Sequence, residues 1–303
     1  MQYPIKICTK FKSFFFGYCI YTQPLAFIVK RHKMKVKIFN KDLWKNYLSI
    51  LGTIGVFTSF LTIFITIPES CKLSYGLIFL LIILLMYLFI LYKANHVSEI
   101  ELKLNGLKVR ISYGDIFNSK GLKLIPFNEY FDTQVDNILI AENTLNGKYI
   151  KKYYPNVSNL DAQISTKLQL KSSEKNISRL IGKTNKYELG TTIEVADEFI
   201  LTAFTHFDSE NKAFLSKGEF LLCLDSLWKE INRIYAQRNI NIPLLGSGIS
   251  RIGNDLKPQD YLEQILNSIK LSDIDNAYNT SINIVLHESI KEHIDLFNIK
   301  NKF

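Results

Sequence analysis

NIPLLGSGIS, residues 241–250, is the stretch that decides the fold. A short apolar run containing β-branched Ile242 and Pro243 breaks into Gly246-Ser247-Gly248, and Arg251 follows. An apolar run of this length that ends in glycine reads as a buried strand. Downstream, KPQDYLEQILNSIK (257–270) has helical periodicity, with Pro258 suited to a first turn. Strand, glycine loop and helix together make an α/β unit, and ligands in such sheets bind just beyond the carboxyl ends of the strands. Glycines there permit positive φ and let a ligand approach the backbone. Successive free N–H groups then form a nest for an anion such as phosphate, and Arg251 adds positive charge. The same loop also reads as an ordinary strand-to-helix turn, because Gly and Ser are common turn residues. It is neither GxGxxG nor a Walker loop, since it has no lysine.

Working outward, the chain alternates strand and helix patterns from about residue 99. Strands are expected at 107–112, 123–127, 137–141, 199–204 and 282–287, besides 241–245. Helices are expected at 217–239, 257–270 and 289–300. In the first of these, apolar residues at 220, 221, 224, 227, 228, 231 and 234 form a stripe that turns Cys223 and Trp228 toward a core. The stretch 142–190, rich in Lys, Asn and Ser, is the least regular part. Alternation of this kind predicts an α/β domain with a mixed sheet.

Residues before 93 differ in kind. NYLSILGTIGVFTSFLTIFITI (46–67) and SYGLIFLLIILLMYLFILY (74–92) carry no charge, and PESCKLS joins them. Each is long enough to cross a bilayer as a helix, which satisfies its own backbone in lipid. The tight connector predicts a two-helix transmembrane hairpin. The formal net charge is +9 and the pI near 9.1, values that would suit a nucleic-acid partner in a soluble protein. Here, however, seven basic residues fall between Lys30 and Lys45, just before the first span, whereas the connector holds only Lys72. This asymmetry reads as a topology signal that leaves the N-terminus and the long C-terminal part in the cytoplasm, with no nucleic acid as partner. Gly52, Gly55 and Ser59 form a small-residue face that suits either helix packing or lipid. Residues 1–33 read as a signal-like, interfacial or disordered lead, or as an extension upstream of a start at Met34.

Four cysteines, Cys8, Cys19, Cys71 and Cys223, form no CxxC, and no histidine stands at metal-ligand spacing to them. No metal site or disulfide framework is expected. GDIF (114–117) and IPFNEYFDT (125–133) each follow a predicted strand. Asp115 suits either an exocyclic amine such as that of adenine or a local cap, and Asn128 either a ribose hydroxyl or a loop cap. His206 suits a strand end better than a general base. With no recognisable pairing of acid and base, no catalytic residue is expected.

Together GDI (114–116), LIPFN (124–128) and IPLLGSGIS (242–250) resemble the macrodomain family over about 107–300, the last motif being the most specific. The resemblance implies a three-layer α/β/α domain that binds ADP-ribose. It implies adenine contact for Asp115 with Ile116, a place near the distal ribose for Asn128, and diphosphate contact for Gly246, Ser247, Gly248, Ile249 and Ser250, with Arg251 beside them. EYFDT stands where hydrolytic macrodomains carry a glycine run, which argues against ADP-ribosyl hydrolysis. With TLNGKYI (144–150) and ELGTT (188–192) behind two membrane spans, the chain resembles more narrowly the membrane-bound effectors of Thoeris antiphage systems. That resemblance implies a signal nucleotide made by a TIR-domain partner, a histidine conjugate of ADP-ribose, with no cofactor. It also implies homo-oligomerisation in the inner membrane and membrane disruption. A ligand promotes assembly when it orders a loop that joins an interface, and the GTT segment (190–192) and the NEYFDT loop are the candidate segments for that. The alternatives are a membrane-tethered hydrolase and a passive tether. The expected organisation is a basic segment at 1–45, the hairpin at 46–92, a linker at 93–106 and the macrodomain at 107–303.

Overall fold

The structure, a computed structural model, describes residues 34–65, 67–234, 238–248, 256–274 and 280–303. The expectations for residues 1–33, and for Ile249, Ser250 and Arg251, lie outside the described residues.

Helix α1 (Lys41–Thr62) starts at Asn40, whose side chain accepts the N–H groups of Asp42 and Leu43, each at 3.0 Å. Helix α2 (Lys72–Asn95) returns antiparallel to it. Their root is packed: Trp44, Tyr47 and Tyr87 cluster with ring centres 5.0–5.6 Å apart, and Asn95 accepts the N–H groups of Lys35 and Val36. Toward the connector the apolar side chains, Phe57, Leu77 and Leu81 among them, are exposed. One described helix, Glu69–Asn95, is long and apolar enough to cross a membrane. α1 holds its charges in its first turns and ends at Thr62, so its uncharged helical part is shorter than the expected 46–67 span. The two helices pack together at their root, and among the described residues only the second has the length and composition of a membrane span.

The domain that follows is one mixed sheet between two helix layers. Its strands are β1 (Glu99–Leu104), β2 (Leu107–Tyr113) and β3 (Leu122–Asn128). Helices α3 (Leu145–Tyr153) and α4 (Val157–Leu168) come next, and then a small hairpin of β4 (Ser173–Lys175) and β5 (Asn185–Tyr187). β6 (Thr192–Val195), β7 (Phe199–Phe207) and β8 (Ala213–Phe214) lead to α5 (Lys217–Ile234) and β9 (Ile240–Pro243). α6 (Pro258–Leu271), β10 (Ser281–Leu286) and α7 (Leu296–Lys302) close the chain. The strand order is β1-β2-β10-β9-β3-β7-β6, with β8 on the end of β7. The five central strands are mutually parallel, and β1 and β6 add antiparallel edges. One face of the sheet packs Phe220, Trp228, Leu262 and Ile299 of α5, α6 and α7, and the other packs Tyr149, Ile150 and Ile164 of α3 and α4. Trp228 donates to Ser268 at 2.9 Å, tying α5 to α6, and burial pushes the neighbouring Cys223 thiol up to about 12.

Several expectations change. The expected linker holds β1, whose Glu99 and Glu101 pair across the edge with Arg110 and Lys108. Residues 137–141 are not a strand: Asp136 accepts the N–H groups of Ile138 and Leu139, each at 2.8 Å, and Asn137 takes φ 64°, so the segment turns. The irregular-looking 142–190 contains α3 and α4. The helix expected at 289–300 is divided into a 3₁₀ turn, Glu288–His293, and α7.

Candidate functional site

Because β2, β10, β9, β3 and β7 are parallel, their carboxyl ends meet on one side of the sheet. There a cleft of about 870 Å³ opens. Asp115, Ile116, Asn128, Gly246, Ser247 and Gly248, six of the nine expected site residues, all line it. They come together from three strand ends far apart in sequence.

At the end of β9 the chain turns at once. The Ser247 hydroxyl donates to the Leu244 carbonyl at 2.7 Å, and Gly246 holds φ 84°, a left-handed conformation that suits glycine. The N–H groups of Gly246 and Gly248 meet no acceptor among the described residues. Free donors on a turn beside a cleft form the kind of nest that accepts an anion. A side chain at Gly248 would project into open space, so the loop's two glycines do different work.

At the end of β2, Asp115 caps the 3₁₀ turn Ile116–Asn118, its carboxylate accepting the Phe117 N–H at 2.9 Å. It is exposed on the cleft wall while filling this capping role, and Ile116 is buried. At the end of β3, Asn128 is 3% exposed. Its carbonyl accepts the N–H groups of Tyr130 and Asp132, and its amide donates to the Asp132 carboxylate at 3.0 Å. Those bonds make Asn128 the bracket of the 128–132 loop.

Asp132 is itself engaged. Arg179, from the loop between β4 and β5, donates to both carboxylate oxygens at 3.2 and 2.6 Å, and the Lys183 N–H donates at 2.8 Å. Both side chains of the ion pair are nearly inaccessible, at 1% for Asp132 and 7% for Arg179. Arg179 also stacks on Tyr130, 3.9 Å from the ring centre, and donates to Asn211, which lines the cleft. His206 lies on β7 between Glu129, bonded at Nδ1, and Glu219, 3.3 Å from Nε2. The bond to buried Glu129 raises its pKa, against the opposing effect of burial.

The sequence reading missed one wall. Asn143, Thr144, Leu145 and Asn146, at the start of α3, line the cleft. Thr144 caps the helix through the Gly147 N–H at 3.2 Å, and a Cβ at Gly147 would lie 2.3 Å from the Ala141 carbonyl oxygen. A capping Thr followed three residues on by a glycine that meets backbone was the available signal. The helix N-terminus favours negative charge in front of it. The cleft thus presents a carboxylate at one strand end, and free N–H groups and a helix N-terminus elsewhere on its wall. That pattern suits a ligand with a hydrogen-bonding base and a central anion. The GTT segment (190–192) is not part of it: Thr192 is buried in β6, and a Cβ at Gly190 would lie 2.5 Å from Ser226 of α5.

The profile of the family described as Thoeris protein ThsA, Macro domain, matches residues 109–287. Thoeris protein ThsA of Bacillus amyloliquefaciens (strain Y2) is 37% identical over 278 residues, which cover 88% of this chain and 92% of that protein. Among solved structures, a macrodomain of Oceanobacillus iheyensis is 12% identical and aligns over 68% of this chain and 100% of its own with a TM-score of 0.44. Thermosipho africanus DarTG in complex with ADP-ribose is 14% identical over 63% of this chain and 44% of its own, with a TM-score of 0.36. The extent of the profile match and the identity across most of both chains lead to one conclusion: the chain belongs to the Thoeris ThsA family of macrodomain proteins.

Proposed function

We propose that the chain is a membrane-anchored antiphage effector whose macrodomain binds an ADP-ribose-derived nucleotide made by a TIR-domain partner. The nucleotide is a histidine conjugate of ADP-ribose, and no cofactor takes part. Binding drives copies of the chain to associate, and the two apolar helices then disrupt the inner membrane, with the N-terminus and the macrodomain on the cytoplasmic side. The observation that carries this reading is the cleft itself, with Asp115 on its wall and the N–H groups of Gly246 and Gly248, without an acceptor among the described residues, just past the end of β9. The exposed apolar surfaces of α1 and α2 support the membrane anchor. A ligand drives assembly only when it binds the assembled state more tightly than the separate one.

The protein carries out no chemistry of its own in this reading. Asn128, the expected distal-ribose residue, and Asp132 of the same loop are engaged with each other, and Asp132 also with Arg179, so neither stands ready as a general base. Reconstitution of the full chain into dye-loaded vesicles, with ADP-ribose or its histidine conjugate added, tests the proposal. The expected result is dye release and growth of the particle, together and only with ligand. Ligand binding with neither would leave a tether. Hydrolysis of an ADP-ribose ester would make the protein an enzyme and overturn the proposal.

A further inference from the structure

Beside Asp115 the cleft continues into a shallow basin of about 850 Å³, shared at Asp115, Phe117 and Lys148. Its far wall is α3, which contributes Lys148, Lys151 and Lys152. The three lysines are not equivalent. Lys151 pairs with Glu142 at 2.6 Å. The Lys152 ammonium lies over the Phe117 ring, 5.1 Å from its centre, and over Tyr153 at 5.4 Å, so aromatic faces hold it in place. The Lys148 ammonium has neither a hydrogen bond nor an ion pair among the described residues, its backbone N–H alone being taken up by the Thr144 carbonyl.

Lys148 and Lys152 stand four residues apart on one helix face, and like charges at that spacing are mildly unfavourable to the helix. The helix dipole accounts for Lys151 and Lys152, which lie in the last turn of α3. It does not account for Lys148, in the middle of the helix and at the mouth of the basin. None of residues 244–248 lines the basin, so an anion placed there is not the group that the glycine loop faces.

We propose that this basin is a second anion subsite, in which Lys148 and Lys152 recognise a phosphate or carboxylate carried by the nucleotide in addition to its diphosphate. The proposal rests on the reading of the main cleft as an ADP-ribose site. The basin selects a substituted ligand over plain ADP-ribose, and its affinity for that ligand falls with added salt, because both lysines are exposed.

Calorimetry on the full chain in detergent, with ADP-ribose, ADP-ribose 2′-phosphate and the histidine conjugate of ADP-ribose, tests this. The two derivatives separate a phosphate from a carboxylate as the recognised group. At least one of them should bind wild type about tenfold tighter than ADP-ribose. Lys148→Glu/Lys152→Glu should bring that ratio to one or below, while Lys148→Arg/Lys152→Arg keeps most of it. A wild-type ratio near one for both derivatives overturns the subsite without recourse to any variant. A ratio that survives charge reversal also overturns it. Failure of ADP-ribose itself to bind is a different result, and it counts against the main cleft.

Discussion

Asp115 and Asn128 are both short polar residues just past a parallel strand, yet their surroundings divide their work. Asp115 keeps its carboxylate on the cleft wall while accepting one backbone N–H. Asn128 is buried and engaged on both sides of its amide by its own loop. His206 shows how such a loop is held to its neighbour. Its bond to Glu129 raises its pKa, the charges of Glu129 and Glu219 add to the effect, and burial and Lys186 oppose it. A histidine whose folded pKa is raised contributes stability that is complete below its unfolded value, about 6.5, and is lost as pH rises through the folded value. Thermal unfolding followed from about pH 6 to about pH 9 should therefore show wild type losing stability more steeply than His206→Gln. Equal slopes would mean that the contact with Glu129 does not hold a proton.

At the level of elements, the loop between β4 and β5 is joined to the loop after β3 by the buried pair of Arg179 and Asp132. Removing one partner of such a pair leaves the other charge buried and unmatched. Arg179→Ala should cost about 3–5 kcal/mol, read as a fall in the midpoint of chemical unfolding. A loss under about 1 kcal/mol would place the pair among surface bridges. This joint was not legible in the sequence, because Asp132 and Arg179 stand 47 positions apart and nothing local marks either. The central strands were legible, because burial on both faces leaves β3 and β7 as continuous apolar runs. β1 was not, because its EIELKL alternates at an edge covered on one face only and reads as a polar connection. α3 and α4 were hidden by their lysines and asparagines, although Thr144 and Asn156 cap them. Of the site, the two strand-end motifs and the glycine loop were legible as local patterns. The α3 wall needed the fold to bring it across.

For the whole molecule, topology does most of the functional work. Five parallel strands bring their carboxyl ends to one side, and loops from across the domain become a single cleft there. Phe297 of α7, the helix that lies against β1, packs against the root of the α1–α2 hairpin. The account stands or falls on whether the cleft takes an ADP-ribose-type nucleotide. The most direct measurement is calorimetric titration of ADP-ribose into the full-length protein, wild type and Gly248→Glu. A carboxylate at position 248 meets no protein atom and lies on the lining of the cleft that the proposal gives to the diphosphate. The account predicts a single site at micromolar affinity or tighter, on the order of 8 kcal/mol, in wild type. In the variant the site should be lost with the unfolding midpoint unchanged. No heat in wild type, or equal binding in Gly248→Glu, would contradict it.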